Sequence, residues 1–154
     1  MDSIATIGYE GATVAGFLNA LQADRVTLLV DVRAVASSRR PGFAKTALSA
    51  NLNSVGIGYL HLRGLGTPAD GRAAARAGKH DELRRIYLAH LGTPAAQTEL
   101  NALAALVPSG PRICLLCFEA DAARCHRSLI VDALAAMFPM YISNLTAHDE
   151  WADE

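Results

Sequence analysis

This sequence is short of aromatic rings, cysteine pairs, long apolar runs and net charge. No stretch approaches the ~18 apolar residues needed to cross a bilayer, and no basic segment leads into an apolar one near the start. A cytoplasmic protein with no membrane partner is therefore expected. Three cysteines at irregular spacing do not form a disulfide framework, and reduced thiols are the simplest reading. Aromatic residues make up 6% of the chain, too few near the basic residues for a single-strand stacking platform. A net charge of −1 excludes a generally basic protein. The glycine-rich fingerprints of nucleoside triphosphate and dinucleotide sites are missing, so no cofactor is expected. The spacing from Cys117 to Arg124 is one residue too long for a phosphatase loop. Cys117, Cys125 and His126 offer soft ligands but no paired C-x-x-C spacing, so no metal site is expected.

What is present is apolar and periodic. At 154 residues, with 51% hydrophobic and 19% charged, the chain suits one core that buries roughly two thirds of the unfolded surface. Short apolar runs at Ile4 to Tyr9, Thr27 to Val32, Ile57 to Leu62, Ile113 to Phe118 and Met140 to Leu145 read as strands. Between them lie helical patterns. Thr13 caps a stretch with Val14, Phe17, Leu18 and Leu21 on one face, and Ala44 to Val55 forms a second. Asp81 to Leu91 ends at Gly92, and Thr93-Pro94 restarts the chain as cap and first helical residue. Cys125 to Met137 is the last helix, while Ala69 to Gly78, small and weakly patterned, reads as a mobile surface segment. The order predicts an α/β fold, a three-layer sandwich around a mostly parallel sheet of about five strands. Residues 1–147 form a single domain and 148–154 an acidic tail.

Charge is unevenly spread. From Arg25 to Arg85 there are 11 Lys/Arg against 4 Asp/Glu, a balance of +7; the part after it carries −5 and the part before it −3. A local basic surface suits an anionic partner. The stretch RICLLCFEADAARCHRSLIVDAL, Arg112 to Leu134, is the centre of the chain. It reads as strand, loop and helix, with a thiol, an imidazole and a guanidinium at the helix start, where unpaired N–H groups favour an anion.

Thr6-Ile7-Gly8-Tyr9, Asp31-Val32-Arg33, Ser38-Arg39-Arg40-Pro41-Gly42-Phe43, Tyr59 with Leu65-Gly66, and Leu116-Cys117-Phe118-Glu119 leading to Cys125-His126-Arg127 together resemble the family catalogued as domain of unknown function 488. The resemblance runs over nearly the whole chain. It implies a compact α/β domain of bacteria and archaea and carries no assigned reaction. Ala36 stands where that family commonly has proline, and Thr67 where it commonly has a second glycine.

The candidate catalytic residues are Cys125, His126, Asp31 and Glu119. Positive charge around Cys125 favours its thiolate as a nucleophile; the alternative is a small, partly buried residue at a turn. Because neighbours on a helix point about 100° apart, a base for Cys125 is expected from another strand end. His126 is a general acid or base, or a histidine bonded to backbone. Asp31 and Glu119 are either acid and base across a crevice or partners of Arg33 and Arg127. Arg33, Arg39 and Arg127 are candidate anion donors, with Tyr9 to stack on a base; a solvated basic loop is the alternative for the arginines. The expected function is an enzyme acting on a phosphorylated or nucleotide-like anion. Its rival is a non-catalytic module that binds a nucleotide or nucleic acid. The expected partner is accordingly a small anionic ligand or nucleotide, and nothing in the sequence sets an oligomeric state.

Overall fold

The computed structural model describes residues 2–147, so the expected acidic tail at 148–154 lies outside the described residues. Five strands, β1 (Asp2–Gly8), β2 (Leu28–Asp31), β3 (Gly58–His61), β4 (Ile113–Cys117) and β5 (Met140–Asn144), pair in the order β3-β2-β4-β1-β5. Every pairing is parallel. The helices are α1 (Val14–Ala23), α2 (Lys45–Asn53), α3 (Ala69–Arg76), α4 (His80–Leu91), α5 (Pro94–Leu106) and α6 (Arg127–Met137). None is long and apolar enough to cross a membrane, among the described residues.

Alternation along the strands builds two cores. Ile113, Leu115 and Cys117 face one side with Val30 and Val32, packed under α4, α5 and α6 through Tyr87, Leu100 and Ile130. Cys114 and Leu116 face the other with Ile7 and Leu29, under Phe17 and Leu21 of α1 and Leu48 and Leu52 of α2. The three-layer α/β sandwich expected from the sequence is the fold. Its helix starts follow local chemistry: Thr13 Oγ1 accepts from Gly16 N at 3.0 Å, and Thr93 Oγ1 from Ala96 N at 3.4 Å with Pro94 in the first turn.

Two stretches differ from the sequence reading. Ala69–Arg76 is a helix, α3, not an irregular segment. Its alanines favour helix intrinsically, and its buried positions are Gly71 and Ala74; a Cβ at Gly71 would press on Thr67, Ile86 and Leu83. The helix packs through smallness, so no large apolar residues mark its inner face. The last helix starts at Arg127, not Cys125: a 3-10 turn at Ala122–Arg124 precedes it, Asp121 Oδ1 accepts from Ala123 N at 3.0 Å, and Cys125 itself is extended.

Strand order determines where a ligand fits. The chain leaves β1 and β2 toward the face of α1 and α2, whereas it leaves β4, which lies between them, toward the opposite face. Such a divergence opens a crevice at the carboxyl ends of the strands.

Candidate functional site

A cavity of about 260 Å³ occupies that crevice. Each wall comes from a different strand end. After β1 comes Tyr9; after β2 come Arg33, Ala34, Val35 and Ser37; from the end of β4 come Cys117 to Glu119 and then Arg124 to His126; α3 closes the rim with Arg72 and Arg76. Backbone bonds hold these ends together. Val32 N donates to Leu116 O at 3.1 Å, and Glu10 N to Phe118 O at 2.8 Å. Gly8 and Gly66 permit the approach, since a Cβ at Gly8 would overlap the Glu119 carbonyl and one at Gly66 the Ala34 backbone. Thr67, next to Gly66, is buried and lines the cavity. A second hollow between α2 and β3 has one charged lining residue, Lys45, and no thiol, imidazole or carboxylate.

Asp31 and Arg33 form a structural pair. Both are buried, and Asp31 accepts from Arg33 Nε at 2.9 Å, Nη2 at 2.7 Å and backbone N at 3.1 Å, and from Tyr59 Oη at 2.6 Å. Arg33 Nη1 donates to Phe43 O at 2.8 Å. Burial opposes the guanidinium's charge, but its bonds to Asp31 outweigh that and raise its pKa. Burial and the bond to Asp31 likewise push the Tyr59 phenol up. Asp31 does not line the cavity; its carboxylate is committed to partners, as one of the two sequence readings had it. Arg33 does line the cavity and lies 5.4 Å from the Tyr9 ring centroid. Tyr9 is nearly buried and stacked on Phe43 at 4.7 Å, so its flat face is already taken.

Below Arg33 lie the sulfur and imidazole groups. Cys117 and Cys125 are joined sulfur to sulfur across eight residues of sequence, which corrects the expectation of three reduced thiols; Cys114 is the free one, and it is core. Burial pushes the Cys114 thiol up. His126 Nε2 lies 2.7 Å from Val32 O. A carbonyl only accepts, so Nε2 carries the proton and Nδ1 is bare. Nδ1 lies 3.6 Å from Cys125 Sγ. This nitrogen belongs to the next residue, where the sequence pointed to another strand end; Cys125 precedes the helix, so the 100° rule does not apply to it. Burial pushes the His126 pKa down to about 4, with the Val32 bond opposing and Arg127 adding to the shift. The imidazole is neutral near pH 7.

Glu119 Oε2 lies 3.9 Å from Cys117 Sγ, as strand alternation suggests. Burial, helped by Glu10, raises the Glu119 pKa. Arg127 is fully buried and does not line the cavity. It pairs with neither carboxylate proposed for it: Nη1 donates to Cys117 Sγ at 2.9 Å and Glu119 O at 2.5 Å, and Nη2 to Ala120 O at 3.2 Å. Burial lowers its pKa, and Nε has no partner among the described residues. Arg39 is exposed and lies outside the cavity lining. Arg40 turns inward to Tyr9 O, at 3.1 Å, and Ala12 O.

The sequence reading missed Cys117 as a reacting partner and missed Arg72 and Arg76; it had Arg124 only as charge beside Cys125, not as a residue of the cavity wall. Arg72 and Arg76 stand four residues apart on α3, so a helix there would have put both on one face. The donor atoms of Cys117, Glu119 and Cys125 lie within 4.8 Å of one another and are the ones that could take a soft cation.

No curated protein and no solved structure matches the chain. The family model described as Domain of unknown function DUF488 matches residues 13–134, which take in β2, β3 and β4 and the loop from β4 to α6, and the chain belongs to that family.

Proposed function

We propose that the protein is a cytoplasmic enzyme that holds a small phosphorylated or nucleotide-like anion in the cleft at the sheet's carboxyl edge. Arg33, Arg72, Arg76 and Arg124 supply positive charge, and Cys125, His126 and Glu119 are the reacting groups beneath. One observation carries this reading: four arginines line the same concave site as a cysteine whose neighbouring imidazole presents an unprotonated nitrogen to it. Guanidinium groups suit phosphate or carboxylate oxygens, and Cys125, once its bond to Cys117 is reduced, is a nucleophile beside an oriented base. Asp31 takes no part in the chemistry; it holds Arg33 in place. The non-catalytic reading is less well supported. A cleft of about 260 Å³ suits a small ligand better than a polymer, and Tyr9 is stacked on Phe43.

Thermal unfolding with phosphate, sulfate and a nucleoside monophosphate, against chloride at matched ionic strength, tests the proposal. A hundredfold excess over Kd should stabilise the protein by about 2.7 kcal/mol. Arg76→Ala and Arg72→Ala should weaken that stabilisation, whereas Arg85→Ala, an exposed residue of α4, should not. Equal responses from all three variants, or from chloride, would refute the site. Binding of oligonucleotides with a steep salt dependence would favour the module instead.

A further inference from the structure

Resting on that cleft, the geometry points to a further activity: Cys117 and Cys125 are a dithiol–disulfide couple that exchanges with a small anionic disulfide or thiol bound there. Three observations carry it. The two sulfurs are within bonding reach although they come from the end of β4 and the start of α6. Each sulfur has its own polar neighbour, Arg127 Nη1 at 2.9 Å for Cys117 and His126 Nδ1 at 3.6 Å for Cys125. Both cysteines line the arginine-rimmed cavity, so a substrate can reach them. Anion binding alone leaves these features unexplained. A buried arginine without an acidic partner is costly, and this one is held by backbone carbonyls with its charge beside a sulfur.

The exchange balances as follows. In the reduced protein the Cys125 thiol gives its proton to His126 Nδ1, and its sulfur attacks one sulfur of the bound RS–SR. A mixed disulfide forms, the RS–SR bond breaks, and the departing RS⁻ takes the proton back from His126 and leaves as RSH. Arg127 favours negative charge on Cys117, whose sulfur attacks Cys125 Sγ and expels the second RS⁻. Its proton passes to that leaving group by way of Glu119, whose Oε2 lies 3.9 Å away. Two electrons and two protons move from the dithiol to the substrate, giving two RSH. Excess thiol drives the same steps backward.

The test uses the full-length protein, reduced and desalted, with glutathione disulfide as the anionic probe and cystamine as the cationic one. Glutathione disulfide should take the protein from three free thiols to one, with loss of two hydrogens by mass and release of two equivalents of glutathione. Cys117→Ser should stop at the mixed disulfide, and Cys125→Ser should form none at Cys117. The anionic probe should react roughly tenfold faster than the cationic one, a preference that Arg76→Ala reduces. The wild-type thiol count decides the matter even if a variant fails to fold. Three persisting thiols, or a bound zinc ion masking two of them, would overturn the couple while leaving stabilisation by phosphate intact. Exchange without charge preference would instead overturn the anionic substrate, and with it the arginine cleft.

Discussion

His126 links protonation, packing and chemistry in one side chain. Its Nε2–H is given to Val32 O on the adjoining strand end, its ring lies 5.1 Å from that of Tyr87, and its other nitrogen faces Cys125. The native imidazole protonates near pH 4 and an unfolded one near the ordinary 6.5. Between those values the unfolded chain binds more protons, so stability falls as pH drops through that interval, by roughly 2–3 kcal/mol. Glu119 works in the opposite sense, because its raised pKa lets the native state hold a proton above the ordinary 4.5 that an unfolded carboxyl has released. Urea midpoints measured from pH 7 to pH 4 in a Glu119→Gln background should show the full decline, and adding His126→Gln should flatten it. An unchanged slope would mean that the imidazole is not buried in its neutral form. The sequence named His126 and Cys125 but could not pair them. Their contact depends on Cys125 being extended just before α6, a backbone choice made by the preceding 3-10 turn and not by periodicity.

Around the cavity the elements approach one another at glycines. β1 can approach the β4-to-α6 loop because Gly8 has no Cβ to meet the Glu119 carbonyl. Gly8→Ala should cost about 1–3 kcal/mol through overpacking and should also lower phosphate stabilisation, since the displaced loop carries Cys117, Glu119 and Arg124. Denaturant unfolding with and without phosphate checks both effects; a folded variant that binds phosphate as before would separate the loop from the site. All five strands were legible as apolar runs; the central β1, β2 and β4 are apolar on both faces because both are buried, whereas the edge strands β3 and β5 are apolar but largely not buried. The helix α3 was not legible. Its buried residues, Gly71 and Ala74, carry no size signal, and with the helix went sight of Arg72 and Arg76 on the rim.

Across the whole molecule, the basic window of the sequence divides between two uses. Arg33, Arg72 and Arg76 reach the cavity, while Arg39 stays outside it and Arg40 is bound to backbone. Charge balance along the chain therefore indicated a basic surface but not which arginines line the cavity. Strand order supplied the missing information, because β4 lies between β1 and β2 and leaves the sheet on the opposite face. Nothing in a one-dimensional pattern states that order. The account as a whole depends on that crevice holding an anion above Cys125. A crystal structure of the reduced protein grown with phosphate measures this directly. The account predicts an ordered anion in the cavity, bonded to at least two of Arg33, Arg72, Arg76 and Arg124. An anion bound only on the Arg39-Arg40 loop, with the cavity holding water alone, would contradict it.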